Sequence, residues 1–401
     1  APDNPDAAIE KLASADTRIV SLTITEGGYN IDDHSGAFDS SNTEITHDLE
    51  HPGSPSSVFG VVIEALSRRK QRGLPPFTLM SCDNLPHNGD VARQAFLSYA
   101  KLREVELADW IAEQVSFPNS MVDRITPMTQ PEHRQSLHQQ HGIDDGWPVV
   151  CEPFIQWVLE DDFCNGRPEW EQVGVQLTND VAPYEKMKIR LLNASHSAMA
   201  YLGCLAGYSY TDQVMADKRC AQFIRDFMDL DVTPGIQQEL DNVAGIDLEA
   251  YKDTLIIRFS NSQIGDQLQR LCMDGSSKIP KFLIPTVTAA IAAGQNLDRI
   301  ALILAGWMLY LKGDNRPGHQ PAIQDPMADR LKSAVEDESQ WVTRFLSIEE
   351  IFGPQLKQSR TFNQALKSAL RLLKENGALG AIASVLTDSD STGVERQKAI
   401  S

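Results

Sequence analysis

The sequence predicts an α/β first half followed by an all-α second half, on three observations. Short runs rich in β-branched residues alternate with helical stretches up to residue 180. Beyond that point apolar residues recur at helical spacing as far as Lys374, with no further strand pattern. Between the halves, residues 179–203 read as a helix that is apolar almost all round, as a buried one would be. With 401 residues, 42% of them hydrophobic, the chain has material for two cores. Two domains are therefore expected, 1–180 and 181–386, with a polar tail over 387–401.

Residues 18–25 are dense in β-branched side chains and stop at Glu26-Gly27-Gly28, which reads as a strand ending in a Gly-rich turn. The polar stretch 31–55 reads as a surface loop. Residues 58–71 are helical, and 76–81 form a second strand that runs into Cys82-Asp83-Asn84-Leu85-Pro86-His87-Asn88-Gly89, a turn of residues that tolerate unusual backbone angles. One long helix is expected over 90–114, capped by Asp90. A third strand near 116–121 leads to Asp123-Arg124-Ile125-Thr126-Pro127 and a polar segment over 128–146. Residues 149–158 and 173–177 are further strand candidates. In an open α/β sheet, ligands bind beyond the carboxyl ends of the strands. The turns after the three early strands place Glu26, Asn84 and Asp123 at such ends, although each taken singly is more often a turn or cap residue.

The helix over 179–203 has Asn179 or Asp180 to cap its first amides, Pro183 in its first turn and Gly203 near its end. At about 100° per residue, Lys188, Glu185, His196 and Asn193 fall at roughly 0°, 60°, 80° and 140°, all on one side. Met187, Leu191, Ala194 and Ala198 crowd the other side. An ammonium, an amide and an imidazole thus address one place. Burial of an unpaired ammonium pushes its pKa down and makes the amine a proton acceptor. Spacing alone leaves the alternative open, with Lys188 reaching solvent and Asn193 and His196 in ordinary core hydrogen bonds. Further helices are expected over 212–228, 234–243, 248–258, 265–271, 285–293, 297–311, 326–334, 336–345, 349–352 and 359–374.

A net charge of −19 argues against nucleic acid or an anionic membrane as partner. The longest apolar run, 300–311, is far below the roughly 20 residues that span a bilayer. No charged-then-apolar signal opens the chain, so a cytoplasmic location is expected. The six cysteines lie far apart without a Cys-x-x-Cys pair, which suits buried thiols in a reducing compartment. His138 and His141 share helical spacing but have no third ligand at a metal-binding interval, so a surface pair and no metal are expected.

Four segments carry a family resemblance: Ile19 to Asn30 with its Glu26-Gly27-Gly28-Tyr29-Asn30, the turn from Ser81 to Gly89, Ser116 to Pro127 with its Asp123-Arg124-Ile125-Thr126-Pro127, and Lys188-Ile189-Arg190-Leu191-Leu192-Asn193-Ala194-Ser195-His196. Together they resemble the polyol-specific long-chain dehydrogenases, and the likeness extends from about residue 18 to 386. The resemblance implies a partial Rossmann-like dinucleotide-binding domain followed by a mostly helical substrate domain. It implies NAD as cofactor, with NADP open, and metal-independent interconversion of D-mannitol and D-fructose; arabinitol and a hexuronate are sister substrates. Lys188 is then the general base that takes the hydroxyl proton while the carbinol hydride passes to the nicotinamide. Asn84 and Asn193 hold the reacting oxygen, and His196 binds the neighbouring hydroxyl. Asp123, Arg270 and Lys278 bind the polyol. Thr25, Glu26, Asn84 and Val122 adjoin the cofactor, and Glu26 and Glu185 form a proton path. A small-molecule polyol or ketose is the only partner implied, and the working unit is a monomer.

One feature of the family pattern is missing. A dinucleotide-binding domain opens with a strand, a Gly-rich turn and a helix, followed about 20 residues on by an acid for the ribose. The nearest glycine pattern here, Gly377-Ala378-Leu379-Gly380, follows no strand. About a hundred residues of that first half are therefore expected to be absent, and with them the determinant of NAD against NADP. Weak NAD binding by the chain alone is the corresponding expectation. The rival reading is a truncated, non-catalytic homologue; against it stands the intact set Lys188, Asn193, His196 and Asn84.

Overall fold

The computed structural model describes residues 4–32, 35–241, 243–313 and 323–386; the tail expected over 387–401 lies outside them. The chain packs as two compact units, one of residues 1–124 and 154–185, the other of 125–153 and 186–401. Packing thus divides the chain differently from the single cut expected at 180, because residues 125–153 group with the helical unit. Glu152 of that segment forms a buried ion pair with Arg258, which anchors it there.

The first unit begins with α1 (Pro5–Ala13), capped by Asn4. Strand β1 (Ile19–Leu22) follows, then α2 (Thr43–Glu50), α3 (Val58–Gln71) and β2 (Thr78–Ser81). Helix α2 corrects the loop expected over 31–55. Asn42 accepts the Glu44 amide at 2.9 Å, Ile45 is buried, and Asp48 is fully buried. The Asp48 carboxylate takes the amides of Ser56 and Ser57 at 2.7 and 2.8 Å, which seats the loop ahead of α3. The helix expected over 90–114 is two helices, α4 (Asn88–Arg103) and α5 (Val105–Gln114), parted where Glu104 turns extended (φ −162°, ψ 117°). No glycine or proline marks that break in the sequence.

The third strand is displaced from 116–121 to β3 (Ser120–Asp123). The polar segment after it contains α6 (Pro131–His141), none of whose residues is buried. Strands β4 (Gln156–Glu160) and β5 (Gln176–Thr178) complete the described sheets. β1 and β2 pair parallel with Ile19 opposite Thr78. β3 and β4 pair antiparallel with Ser120 opposite Leu159, and β4 and β5 pair parallel. The unit's core gathers Leu22, Phe59, Leu66, Phe77, Leu79, Phe96, Tyr99 and Ile111.

The helix expected to end at Gly203 runs further: α7 (Ala182–Met187), a π-helical turn (Lys188–Asn193) and α8 (Ala194–Ala206), closed by Gly207 at φ 89°. Gly203 is a packing glycine instead, since a Cβ there would lie 2.7 Å from Val214 and 2.8 Å from Leu268. The helix expected over 212–228 is broken into α9 (Thr211–Ala216) and α10 (Lys218–Asp226), because Asp217 leaves helical geometry and caps α10 through the Arg219 amide. A second π-helical turn, Phe227–Val232, leads into α11 (Thr233–Leu240). Then come α12 (Leu248–Phe259), α13 (Leu268–Cys272) and α14 (Gly275–Phe282), the last unforeseen in the sequence. Helices α15 (Ile284–Ala292), α16 (Asp298–Lys312), α17 (Ala328–Ala334), α18 (Trp341–Phe345), α19 (Glu349–Leu356) and α20 (Arg360–Ser384) finish the unit. Its core centres on α8, α16 and α20, with Ala198, Leu202, Leu304, Trp307, Leu366 and Leu373 buried together. Gly306 lets α16 approach Leu202 closely, and Gly377, at φ 66°, breaks the helical path inside α20.

Candidate active site

In the helical unit the site grows from the π-helical turn. Asp180 caps the segment by accepting the Ala182 amide at 2.9 Å. At its far end the Ala194 amide bonds Ile189 O, five residues back. Such i→i+5 turns cost regularity and gather at functional sites. The wider turn also swings Asn193 closer to the face of Lys188 than the roughly 140° that an α-helix would give. Lys188 is 9% exposed and Asn193 8%, so neither side chain reaches freely into solvent, and the solvent-facing alternative for Lys188 is not what the fold adopts.

One turn on, the His196 side chain is largely buried and packs against Phe259 with ring centroids 4.9 Å apart. Burial holds its pKa well below the ordinary imidazole value, and the charges of Arg270, Arg258, Lys278 and Lys188 push the same way. The imidazole is therefore neutral near pH 7. These four cations come from three further elements as well as the π turn. Arg258, on α12, is locked to buried Glu152, with Nη2 2.8 Å from Oε1 and Nε 3.0 Å from Oε2. Arg270, on α13, donates from Nε and Nη2 to one oxygen of Asp266 at 3.0 and 2.6 Å. Lys278, on α14, lies 3.5 Å from the Leu271 carbonyl. Asp266 and Arg270 also line a cavity of about 330 Å³ with Gln130, His133 and Tyr210, within the size range of small-molecule sites.

In the first unit, the other expected residues sit where three strands end. Thr25 is exposed, at φ 65°, just ahead of the 3-10 turn Glu26–Tyr29; the Glu26 side chain lies outside the described residues. Asn84 is exposed in the turn after β2, Val122 is 37% exposed, and Asp123 closes β3 at 2% exposure. Asp83 ties the first two ends together. Its carboxylate accepts the amides of Ile24 and Thr25 at 3.1 and 2.8 Å and the Tyr29 hydroxyl at 2.6 Å. Burial and that carboxylate hold the Tyr29 phenol far above its ordinary pKa. Asn88 joins the second and third ends, donating to Asp83 O at 3.0 Å and Ser120 O at 2.8 Å and accepting the Ser120 amide at 2.9 Å. Glu185 is 6% exposed and takes the His87 amide, 3.2 Å from each oxygen.

His138 pairs with Asp144 at 2.7 Å on the surface, and among the described residues no group of three or more His, Cys, Asp or Glu side chains could hold a metal. All six cysteines are free thiols, two of them buried and four partly so. No helix among the described residues is long and apolar enough to cross a membrane.

A mannitol dehydrogenase Rossmann-domain model matches residues 1–172, and a mannitol dehydrogenase C-terminal-domain model matches 180–374. Mannitol 2-dehydrogenase of Phaeosphaeria nodorum is 44% identical over 386 residues, covering 96% of this chain and 67% of that protein. The chain belongs to the mannitol dehydrogenase family. This is an oxidoreductase family acting on CH–OH groups. The mannitol 2-dehydrogenase of Pseudomonas fluorescens, solved as a ternary complex with NAD and D-mannitol, matches with a TM-score of 0.83 and 54% identity over 96% of this chain and 77% of that one. A substrate-free D-sorbitol dehydrogenase matches with a TM-score of 0.84 and 41% identity, covering 95% and 78%. These matches agree with the fold class read from the sequence, a Rossmann-like part and a mostly helical part.

Sequence reasoning missed Asp266, Arg258, Glu152 and Asp83 as parts of the site. Asp266 carried a readable signal, a carboxylate four residues ahead of Arg270. The pairing of Glu152 with Arg258 had none, since the two stand far apart in the chain.

Proposed function

We propose that the chain carries the substrate machinery of an NAD-dependent polyol 2-dehydrogenase that interconverts D-mannitol and D-fructose without a metal. The observation that carries this reading is the burial of Lys188 and Asn193 on one π-helical turn, one turn from a neutral His196. Residues 1–180 serve the cofactor side and 181–386 the substrate side. The strand-end residues suit the nicotinamide end of NAD: Thr25 and Asn84 are exposed beyond the carboxyl ends of β1 and β2, and Val122 is exposed within the carboxyl end of β3, where α/β sheets take ligands. NAD, when bound, supplies a nicotinamide carbon that accepts the carbinol hydride.

Lys188 Nζ accepts the hydroxyl proton as the general base of the reaction. The carboxamides of Asn84 and Asn193 donate to the oxygen that gains negative charge, a contact worth about 3 kcal/mol each in comparable sites. His196 binds the adjoining hydroxyl, and Arg270, Lys278 and Asp123 bind the remaining ones. Glu26 and Glu185 pass the proton from Lys188 to solvent. The likeness to a D-sorbitol dehydrogenase favours sorbitol as the second reading.

The test is a substrate scan of the purified enzyme. NAD reduction is followed with D-mannitol, D-arabinitol and D-sorbitol, and NADH oxidation with D-fructose and D-fructuronate. The mannitol and fructose pair should show the highest kcat/KM. A best rate on sorbitol would favour the second reading, and failure to oxidise any polyol even at saturating NAD would overturn both.

A further inference from the structure

Two buried polar atoms of the helical unit face each other without a hydrogen-bond partner, Nε2 of His196 and Oδ2 of Asp266. They stand 4.0 Å apart, beyond a direct hydrogen bond. Buried polar groups are almost always partnered, so such a pair calls for an explanation. Protonation of the imidazole does not supply it, since His196 is held neutral by burial and by Arg270, Arg258, Lys278 and Lys188. Nor is Asp266 free to turn away. Its other oxygen receives two bonds from Arg270, its carbonyl accepts the Thr211 amide at 3.0 Å, and the residue is 2% exposed. Asp266 and Arg270 both line a cavity of about 330 Å³, a space large enough for a small molecule, and the buried gap between Oδ2 and Nε2 lies next to it.

The separation suits one kind of guest. An oxygen placed about 2.8 Å from both atoms would see them at an angle near 90°, open enough to accept one hydrogen bond and donate another. A neutral imidazole facing a carboxylate favours the tautomer with its proton on Nε2, and an ionised carboxylate can only accept. The guest must therefore carry an O–H, as a substrate hydroxyl or a water does; an ether, a fluorine or a carboxylate oxygen cannot give Asp266 a proton. We infer that His196 and Asp266 together hold one substrate hydroxyl, next to the reacting carbon, with His196 donating to it and Asp266 accepting from it. This rests on the polyol reading above and adds Asp266 to it as a binding residue. Arg270 then has two tasks, its own contact with substrate and the fixing of Asp266.

A substrate-by-residue cycle tests this. Fructose, 1-deoxyfructose and 3-deoxyfructose are reduced by the wild-type enzyme and by Asp266→Asn, with kcat and KM resolved. In the wild type, the analogue lacking the held hydroxyl should lose roughly 30-fold or more in kcat/KM, the range of a hydrogen bond to a charged group. In Asp266→Asn, fructose itself should fall by a similar factor, mostly through KM, while the same analogue loses no more than about threefold further. If the Asn variant does not fold, the cycle is run with Asp266→Glu, which keeps the charge but displaces it and should show the same collapse of the difference. Equal penalties in wild type and variant for both analogues would overturn the inference while leaving the polyol reading in place, since an anchor for Arg270 or a site for water predicts that additivity. A wild type that fails on fructose would overturn the polyol reading and this inference with it.

Discussion

Arg258 and Glu152 meet as a buried ion pair across 106 residues of chain, with Nε 3.0 Å from Oε2. The same carboxylate accepts the Ile125 amide at 2.6 Å. Two functions hang on the contact: it ties the segment 125–153 to α12, and it fixes one of the cations that keep His196 neutral.

Glu152→Ala should therefore destabilise the enzyme by about 3–5 kcal/mol, the cost of leaving a buried guanidinium uncompensated. Urea unfolding followed by tryptophan fluorescence measures it. A loss below about 1 kcal/mol would show that solvent or another acid takes over the role.

Lys188→Ala should lower kcat for mannitol oxidation by about 10²–10⁴-fold, the usual worth of a positioned proton acceptor. The thermal midpoint should move little, and a small primary amine added to the assay should restore part of the rate. Normal oxidation by the alanine variant would remove Lys188 from the mechanism. His196→Ala should act chiefly on KM.

The depressed pKa of His196 gives a stability signature with a definite sign. In the unfolded chain the imidazole binds a proton below about pH 6.5, whereas in the folded chain it does not until the pH is much lower. Stability from this group is complete above pH 6.5 and declines as the pH falls beneath it, by at most about 1.4 kcal/mol per pH unit. His196→Asn should flatten the wild-type decline in that window. A resonance that is lost in His196→Asn, and so belongs to His196, titrating near pH 6.5 in the folded enzyme would contradict the assignment.

Asp83 receives two amides and a phenol from the turn after β1. Asp83→Ala leaves those donors without a partner, at about 1–3 kcal/mol for each one that stays buried. It should also release the strained backbone of Thr25. Global stability should fall, and KM for NAD should rise about tenfold while KM for mannitol changes less. Equal rises in both would mean that the turn does not serve the cofactor.

The residues of the site were legible in the sequence to unequal degrees. Lys188, Asn193 and His196 stand out because a buried helix that spends three polar side chains on one side must use them, and that pattern is confined to a few turns. Asn84 and Asp123 could be picked out because strand ends in an α/β sheet are where ligands go. The π-helical turn was not legible: Lys188 to Asn193 has ordinary helical composition, and only the surrounding packing selects i→i+5 bonding over i→i+4. The break at Glu104 and the helix beginning at Gly275 were hidden for the same reason.

By itself, the sequence determined the α/β first half and the helical second half, the burial of the helix that carries Lys188 and the family, since each depends on short-range periodicity or on contiguous motifs. Only the tertiary structure decided that Glu152 would neutralise Arg258 and that four cations would converge on one imidazole. It alone also left Asp266 facing His196 with a hydroxyl-sized gap. Those outcomes join residues from separate elements, and no spacing along the chain encodes which buried charge will find which partner.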